Sequence, residues 1–311
     1  VFERQVNAIV QKVRTGGDRA LLRFAKQFDN LTAPMEISRE EMEAQAATVS
    51  PQVRLAIKHA AQNIARVAAK QVPKTFDMEV VKGVRVEQRV EPLARVGCYV
   101  PGGRFPLPSS LLMTAIPARV AGVREIIAVC PRPEASVMAA ALEAGATRLF
   151  RIGGAHGVAA LAYGTESIPR VDKIVGPGNK WVARAKAQVS ADCAIDFFAG
   201  PTEIVVVAAS GSPAWVAADL IAQAEHDPEA RSVFITWKKG FAQRVSKAVD
   251  RIAKGRDIVT TSLKAHGAIV IGNDVHTFEK HRLDRVLPGP QRQRVIAQWT
   301  EIGVQNQGRK A

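Results

Sequence analysis

Residues 126–164 read IIAVCPRPEASVMAAALEAGATRLFRIGGAHGVAALAYG, and the order of patterns within them decides the fold class. Ile126-Ile127-Ala128-Val129 is a short apolar run and predicts a strand, whereas residues 134–143 are alanine-rich, lack Gly and Pro, and predict a helix. Leu149-Phe150-Arg151-Ile152 returns to strand and residues 155–162 to helix. Strands separated by helices of this length need crossover connections, and crossovers build a mainly parallel sheet covered on its faces. The alternation continues downstream, with strands at 173–175, 204–207 and 232–236 and helices at 180–189 and 213–225. The fold class is therefore α/β, with two Rossmann-like, doubly wound lobes.

Upstream the period differs. Residues 3–28 carry apolar side chains at helical spacing, and Gly16-Gly17 before Asp18 predicts the end of one helix and the cap of the next. A helix is predicted over 51–70 with Pro51 in its first turn. Residues 78–81 and 84–87 alternate with period two around Lys82-Gly83 and predict a hairpin, followed by a strand ending at Tyr99-Val100. The expected domains are one lobe from 1–98 plus 202–274, a second lobe from 99–201, and an atypical tail at 275–311.

The totals exclude several classes. With 311 residues, 47% apolar and 23% charged, the chain has the composition of an ordinary globular protein. Its apolar runs stop well short of a membrane span of roughly 20 residues. A net charge of +14 invites a nucleic-acid reading. The basic residues are nevertheless dispersed, without aromatic interleaving or a recognition motif, so no nucleic-acid partner is expected. Cys98, Cys130 and Cys193 are too few and too scattered for a disulfide framework, which fits a reducing cytoplasm. Val1 stands where an initiator methionine would, and an incomplete N-terminus is expected.

Four strand ends run into Gly and Pro clusters: Tyr99 to Arg104, Gly153 to Gly157, Gly176 to Lys180, and Ala199 to Glu203. In open α/β sheets ligands gather at such ends, where glycine permits close backbone approach and helix N-termini offer free N–H groups to a pyrophosphate. None matches GxGxxG, and each alone could be a tight structural turn. Tyr99 could lay its ring on a nicotinamide or adenine, and Asn179 could bond a ribose or amide; either could equally be structural.

Gln223 and His226 lie three apart near a helix end closed by Asp227-Pro228, so an amide oxygen and an imidazole nitrogen could converge on one cation. A helix C-terminal cap accounts for the same pattern.

Together these segments resemble histidinol dehydrogenase. The resemblance covers roughly residues 1–274. It rests on GCYVPGGR at 97–104, LLMTAIPA at 111–118, ALAYGT at 160–165, VDKIVGPGN at 171–179, IDFFAGPTE at 195–203 and QAEH at 223–226. It implies an aldehyde/histidinol dehydrogenase-like fold and NAD-dependent, zinc-requiring oxidation of L-histidinol to L-histidine, the last steps of histidine biosynthesis, in a homodimer. By position Tyr99, His156 and Asn179 are implied NAD contacts, Gln223 and His226 zinc ligands that also approach substrate, and Thr202 a substrate contact at a Ser position of the family. His156 stands where the family usually has Gln. The resemblance further implies a downstream Glu-His pair as catalytic machinery, which residues 275–311 do not carry. The tail is expected to be truncated or frame-disrupted and the chain as given inactive. Two alternatives remain: a dehydrogenase of another small polar alcohol, such as a sulfonated diol met by His156 and Arg104, or a non-catalytic remnant.

Overall fold

In the computed structural model, residues 1–272 are described except 103–105, 199–202 and 227. The chain divides into two compact units, one of Val1–Gly200 and one that begins at Pro201.

The first unit opens with α1 (Phe2–Phe28), β1 (Glu36–Ile37), α2 (Arg39–Ala47) and α3 (Pro51–Gln71). The hairpin β2 (Phe76–Val81) and β3 (Val84–Gln88) follows, then β4 (Arg95–Tyr99), α4 (Pro108–Val120), β5 (Glu125–Val129), α5 (Ala135–Ala144) and β6 (Arg148–Phe150). The unit closes with α6 (Gly154–Tyr163), β7 (Lys173–Val175), α7 (Lys180–Val189) and β8 (Ala194–Ile195). The two halves expected around Gly16-Gly17 are present as one kinked helix: Gly17 leaves helical geometry at φ 50°, ψ −141°, and Asp18 N–H donates to Glu166 at 2.7 Å.

The sheet runs β1-β6-β5-β4-β7-β8, parallel throughout except for β1 at the edge. Period-two alternation sorts its side chains. Tyr99, Ile127, Val129 and Phe150 point into a core shared with α1, α6 and α7, while Val96, Cys98, Ile126, Ala128 and Leu149 point into one shared with α2, α3, α4 and α5. Gly97 lets α6 close down on β4, because a Cβ there would stand 2.9 Å from Leu161 Cδ1.

The second unit holds β9 (Glu203–Val207), α8 (Pro213–Ala224), β10 (Arg231–Thr236), α9 (Lys239–Ala253), α10 (Asp257–His266) and β11 (Gly267–Ile271). Its parallel sheet runs β11-β10-β9, and Val216, Leu220, Phe234, Phe241 and Val245 form a core between β10, α8 and α9. The α/β class with mainly parallel sheets is as the alternation predicts. The grouping of segments differs from the sequence reading, which joined 1–98 to 202–274. Residues 1–98 belong with 99–200, because β4 is a central strand of the six-stranded sheet and α1 packs on α6 and α7. The tail at 275–311 lies outside the described residues.

Candidate active site at the strand tips

Strand order fixes where a ligand can sit on the first unit. From β4 the chain steps outward through β5 and β6, then returns to place β7 on the other side of β4. The carboxyl ends of β4 and β7 therefore flank the topological switch point, where crossovers depart to opposite faces and leave a crevice. Tyr99 ends β4, and Gly176 follows the end of β7 directly beside it.

The glycine junctions at these tips are bound inward. Gly153 N–H donates to Asp29 Oδ2 at 2.9 Å, Gly154 N–H to the Tyr99 phenol oxygen at 2.9 Å, and Gly176 N–H to Asp196 Oδ2 at 2.7 Å. The free donors expected to cradle a pyrophosphate are thus engaged by the chain's own side chains at these three positions. Two of the acceptors are carboxyl oxygens, and each carboxyl group is itself engaged by a basic side chain, Asp196 by Lys186 and Asp29 by His156.

Tyr99 is only 3% exposed, and its ring sits in the core with Ile127, Phe150 and Leu161 rather than presenting a face to a nicotinamide or adenine. Burial, reinforced by the charge of Asp29, holds its phenol well above the ordinary tyrosine range, so the oxygen stays protonated as it receives the Gly154 N–H. His156 is 1% exposed, with its ring about 6 Å from those of Phe24 and Phe28. Its Nε2 lies 2.7 Å from Asp29 Oδ2, and because a carboxylate can only accept, the imidazole donates. Asp29 thereby ties the C-terminus of α1 to the β6–α6 junction.

Asn179 is exposed and forms the N-cap of α7, where its side-chain oxygen accepts from Trp181 N–H at 3.0 Å and Val182 N–H at 3.2 Å. The cap uses Oδ1 alone and leaves the amide nitrogen's donors for another acceptor.

Behind this loop, Lys186 is 1% exposed, ion-pairs with Asp196, and donates to Gly176 O at 3.0 Å. Sequence reading missed Asp29, Lys186 and Asp196. A signal for Lys186 existed, since it falls on the buried stripe Val182, Ala185, Lys186, Val189 of an amphipathic helix.

In the second unit α8 ends at Ala224, so Gln223 lies in its last turn and His226 in the turn beyond. His226 N–H still donates to Gln223 O at 3.3 Å, which keeps the two positions one turn apart. Gln223 is partly buried and His226 exposed. Among the described residues no three His, Cys, Asp or Glu side chains come together as a metal site. Thr202 and Arg104 lie outside the described residues, and no described helix is long and apolar enough to cross a membrane.

A sequence model of the histidinol dehydrogenase family matches residues 1–281. This chain belongs to the histidinol dehydrogenase family. The histidinol dehydrogenase of Nitrosomonas europaea is 44% identical over 286 residues, covering 88% of this chain and 66% of that protein. That of Aquifex aeolicus is 43% identical over 282 residues, again covering 88% and 66%. Among solved structures, histidinol dehydrogenase from Elizabethkingia anophelis superposes with a TM-score of 0.83 at 31% identity, over 89% of this chain and 66% of that one. The chain thus has the histidinol dehydrogenase fold and spans 66% of the length of these relatives.

Proposed function

We propose that the chain binds NAD at the switch point of its six-stranded sheet and serves the zinc-requiring oxidation of L-histidinol to L-histidine through the aldehyde. The observation that carries this reading is the family match over residues 1–281, which takes in the strand-tip junctions and the Gln223–His226 turn alike. Sheet order adds independent support, because a dinucleotide is the ligand class most at home at a switch point.

The residues present there fit NAD. Asn179 is exposed at the crevice with amide donors for a ribose or carboxamide oxygen. Tyr99 and His156, buried behind the loops, act as supports, Tyr99 by accepting Gly154 N–H and His156 by holding Asp29, which accepts Gly153 N–H. NAD would supply the hydride acceptor there, and Asn179 would help hold it in place.

For the metal the fit is partial. Gln223 and His226 offer donors of a kind zinc accepts, but a tetrahedral site takes about four. They are assigned as part of the ligand set and as substrate contacts, with Thr202 as a further substrate contact.

A homodimer is part of the proposal. β2 and β3 are exposed along their whole length, with Phe76, Met78 and Val86 on one face. A lone hairpin of this kind is marginal in water, and a second copy would cover it. Cytoplasmic placement is supported by three cysteines that are all free and buried.

The test is calorimetric titration of NAD into the chain and into Asn179→Ser, which keeps the cap oxygen but shortens the reach. Saturable binding that weakens about tenfold in the variant, at an unchanged unfolding midpoint, is the expected result. Equal affinity in both would remove Asn179 from the site, and no binding to the parent chain would overturn the reading.

A further inference from the structure

Gly176 is held by both of its backbone polar groups. Its N–H donates to Asp196 Oδ2 at 2.7 Å, and its carbonyl accepts from Lys186 Nζ at 3.0 Å. The two side chains that hold it also pair with each other, Lys186 Nζ on Asp196 Oδ1. The remaining capacity of each is spent close by. Asp196 Oδ1 accepts Phe197 N–H at 2.8 Å, and the ammonium lies 5.2 Å from the centroid of the Phe197 ring. Lys186 reaches Gly176 from the second turn of α7, the helix whose N-terminus the same loop enters, so the loop is closed on itself through ten residues of chain.

Gly176 also leaves no room for a side chain. At φ +115° it adopts a conformation that other residues rarely take, and a Cβ would stand 2.2 Å from the carbonyl oxygen of Tyr99. The clamp therefore sits where the tip of β7 meets the tip of β4, at the switch point itself.

We infer that Lys186 and Asp196 are positioning residues of the dinucleotide site, setting the peptide planes of Gly176 and through them the loop that presents Asn179. This rests on the reading that NAD binds at that loop. Stability alone is a weak account of the pair, since a buried ion pair commonly gives no more stability than apolar side chains of the same volume. Its geometry does something apolar side chains cannot: it specifies the direction of one N–H and one C=O at a strand tip.

Two measurements test the inference. In the unaltered chain, hydrogen exchange of the Gly176 amide should be as slow as that of the sheet core; fast exchange would overturn the clamp without any variant being made. In the combined variant Lys186→Met with Asp196→Asn, which removes the charges together, the unfolding midpoint should stay near the parent's. Exchange over residues 174–180 should accelerate, and the NAD dissociation constant should rise about tenfold or more. Parental exchange and parental NAD affinity in a folded variant would overturn it. Lys186→Gln, which keeps a donor within reach of the Gly176 carbonyl, should fall between the two. If the parent binds no NAD, the functional reading fails by that result alone, and the exchange data still decide the clamp.

Discussion

Gly176→Ala isolates the close approach at the switch point. The new Cβ would stand 2.2 Å from the Tyr99 carbonyl oxygen, and real Cβ atoms essentially never come within 3.0 Å, so one backbone must retreat by 0.8 Å, the difference of the two. The neighbour is backbone in the middle of a parallel sheet, not the end of a flexible side chain. Forcing such an overlap costs about 1–3 kcal/mol, and holding a non-glycine residue at φ +115° adds about 1–3 kcal/mol. The sum, about 2–6 kcal/mol, corresponds to a drop of roughly 4–24 °C in the midpoint of a unit of this size. Gly83→Ala is the control, since Gly83 also has positive φ, +85°, but nothing lies within 4 Å of its Cβ position. That variant should lose only about 1–2 kcal/mol. Thermal and urea unfolding followed by far-ultraviolet circular dichroism measures both. If the two variants lose the same stability within about 1 kcal/mol, the contact between the strand tips is not as tight as argued.

Asp29→Ala should destabilise the chain by about 2–4 kcal/mol, because it strands the buried His156 Nε2 and Gly153 N–H together; Asp29→Asn, which keeps an acceptor, should lose less, and equal losses in denaturant midpoints would count against the shared-acceptor role. Burial pushes the Cys98 and Cys130 thiols up to about 12 from an ordinary 9.0. The folded state then holds more protons than the unfolded one between those values, so this stability is full below about pH 9 and is lost as pH rises toward 12. The unfolding midpoint should fall across that window less steeply in the double Cys→Ala variant, and a thiol reagent at pH near 8 should label the native chain slowly and the urea-unfolded chain fully. Met78→Glu places a charge on the uncovered face of the hairpin and should shift sedimentation from dimer to monomer with the sheet intact; an unchanged sedimentation coefficient would remove the hairpin from the interface.

What the sequence made legible and what it hid divide along physical lines. The alternation of apolar runs with helix-length segments exposes β4 to β7 and α5 to α7, because short β-branched or aromatic runs stand apart in composition from the segments between them. The same logic finds Tyr99 and Asn179, since glycine clusters mark strand ends, whereas His156 enters only through the resemblance to the family. It does not find their duties. Nothing local distinguishes a His156 that faces solvent from one locked 2.7 Å from Asp29, because the partner comes from a helix 127 positions earlier in the chain. Domain grouping fails for the same reason: β4 looks like the end of the upstream segment until pairing with β5 and β7 puts it at the heart of the downstream sheet. Lys186 is the instructive case, as its place on the apolar stripe of α7 was visible and implies a buried counter-charge. The counter-charge itself, Asp196, lay within a segment read only for its likeness to a family. A charged residue on an apolar stripe is therefore worth following to its partner before the glycines around it are assigned to a ligand. Here the partner leads back to Gly176, whose N–H and carbonyl are taken by the protein itself.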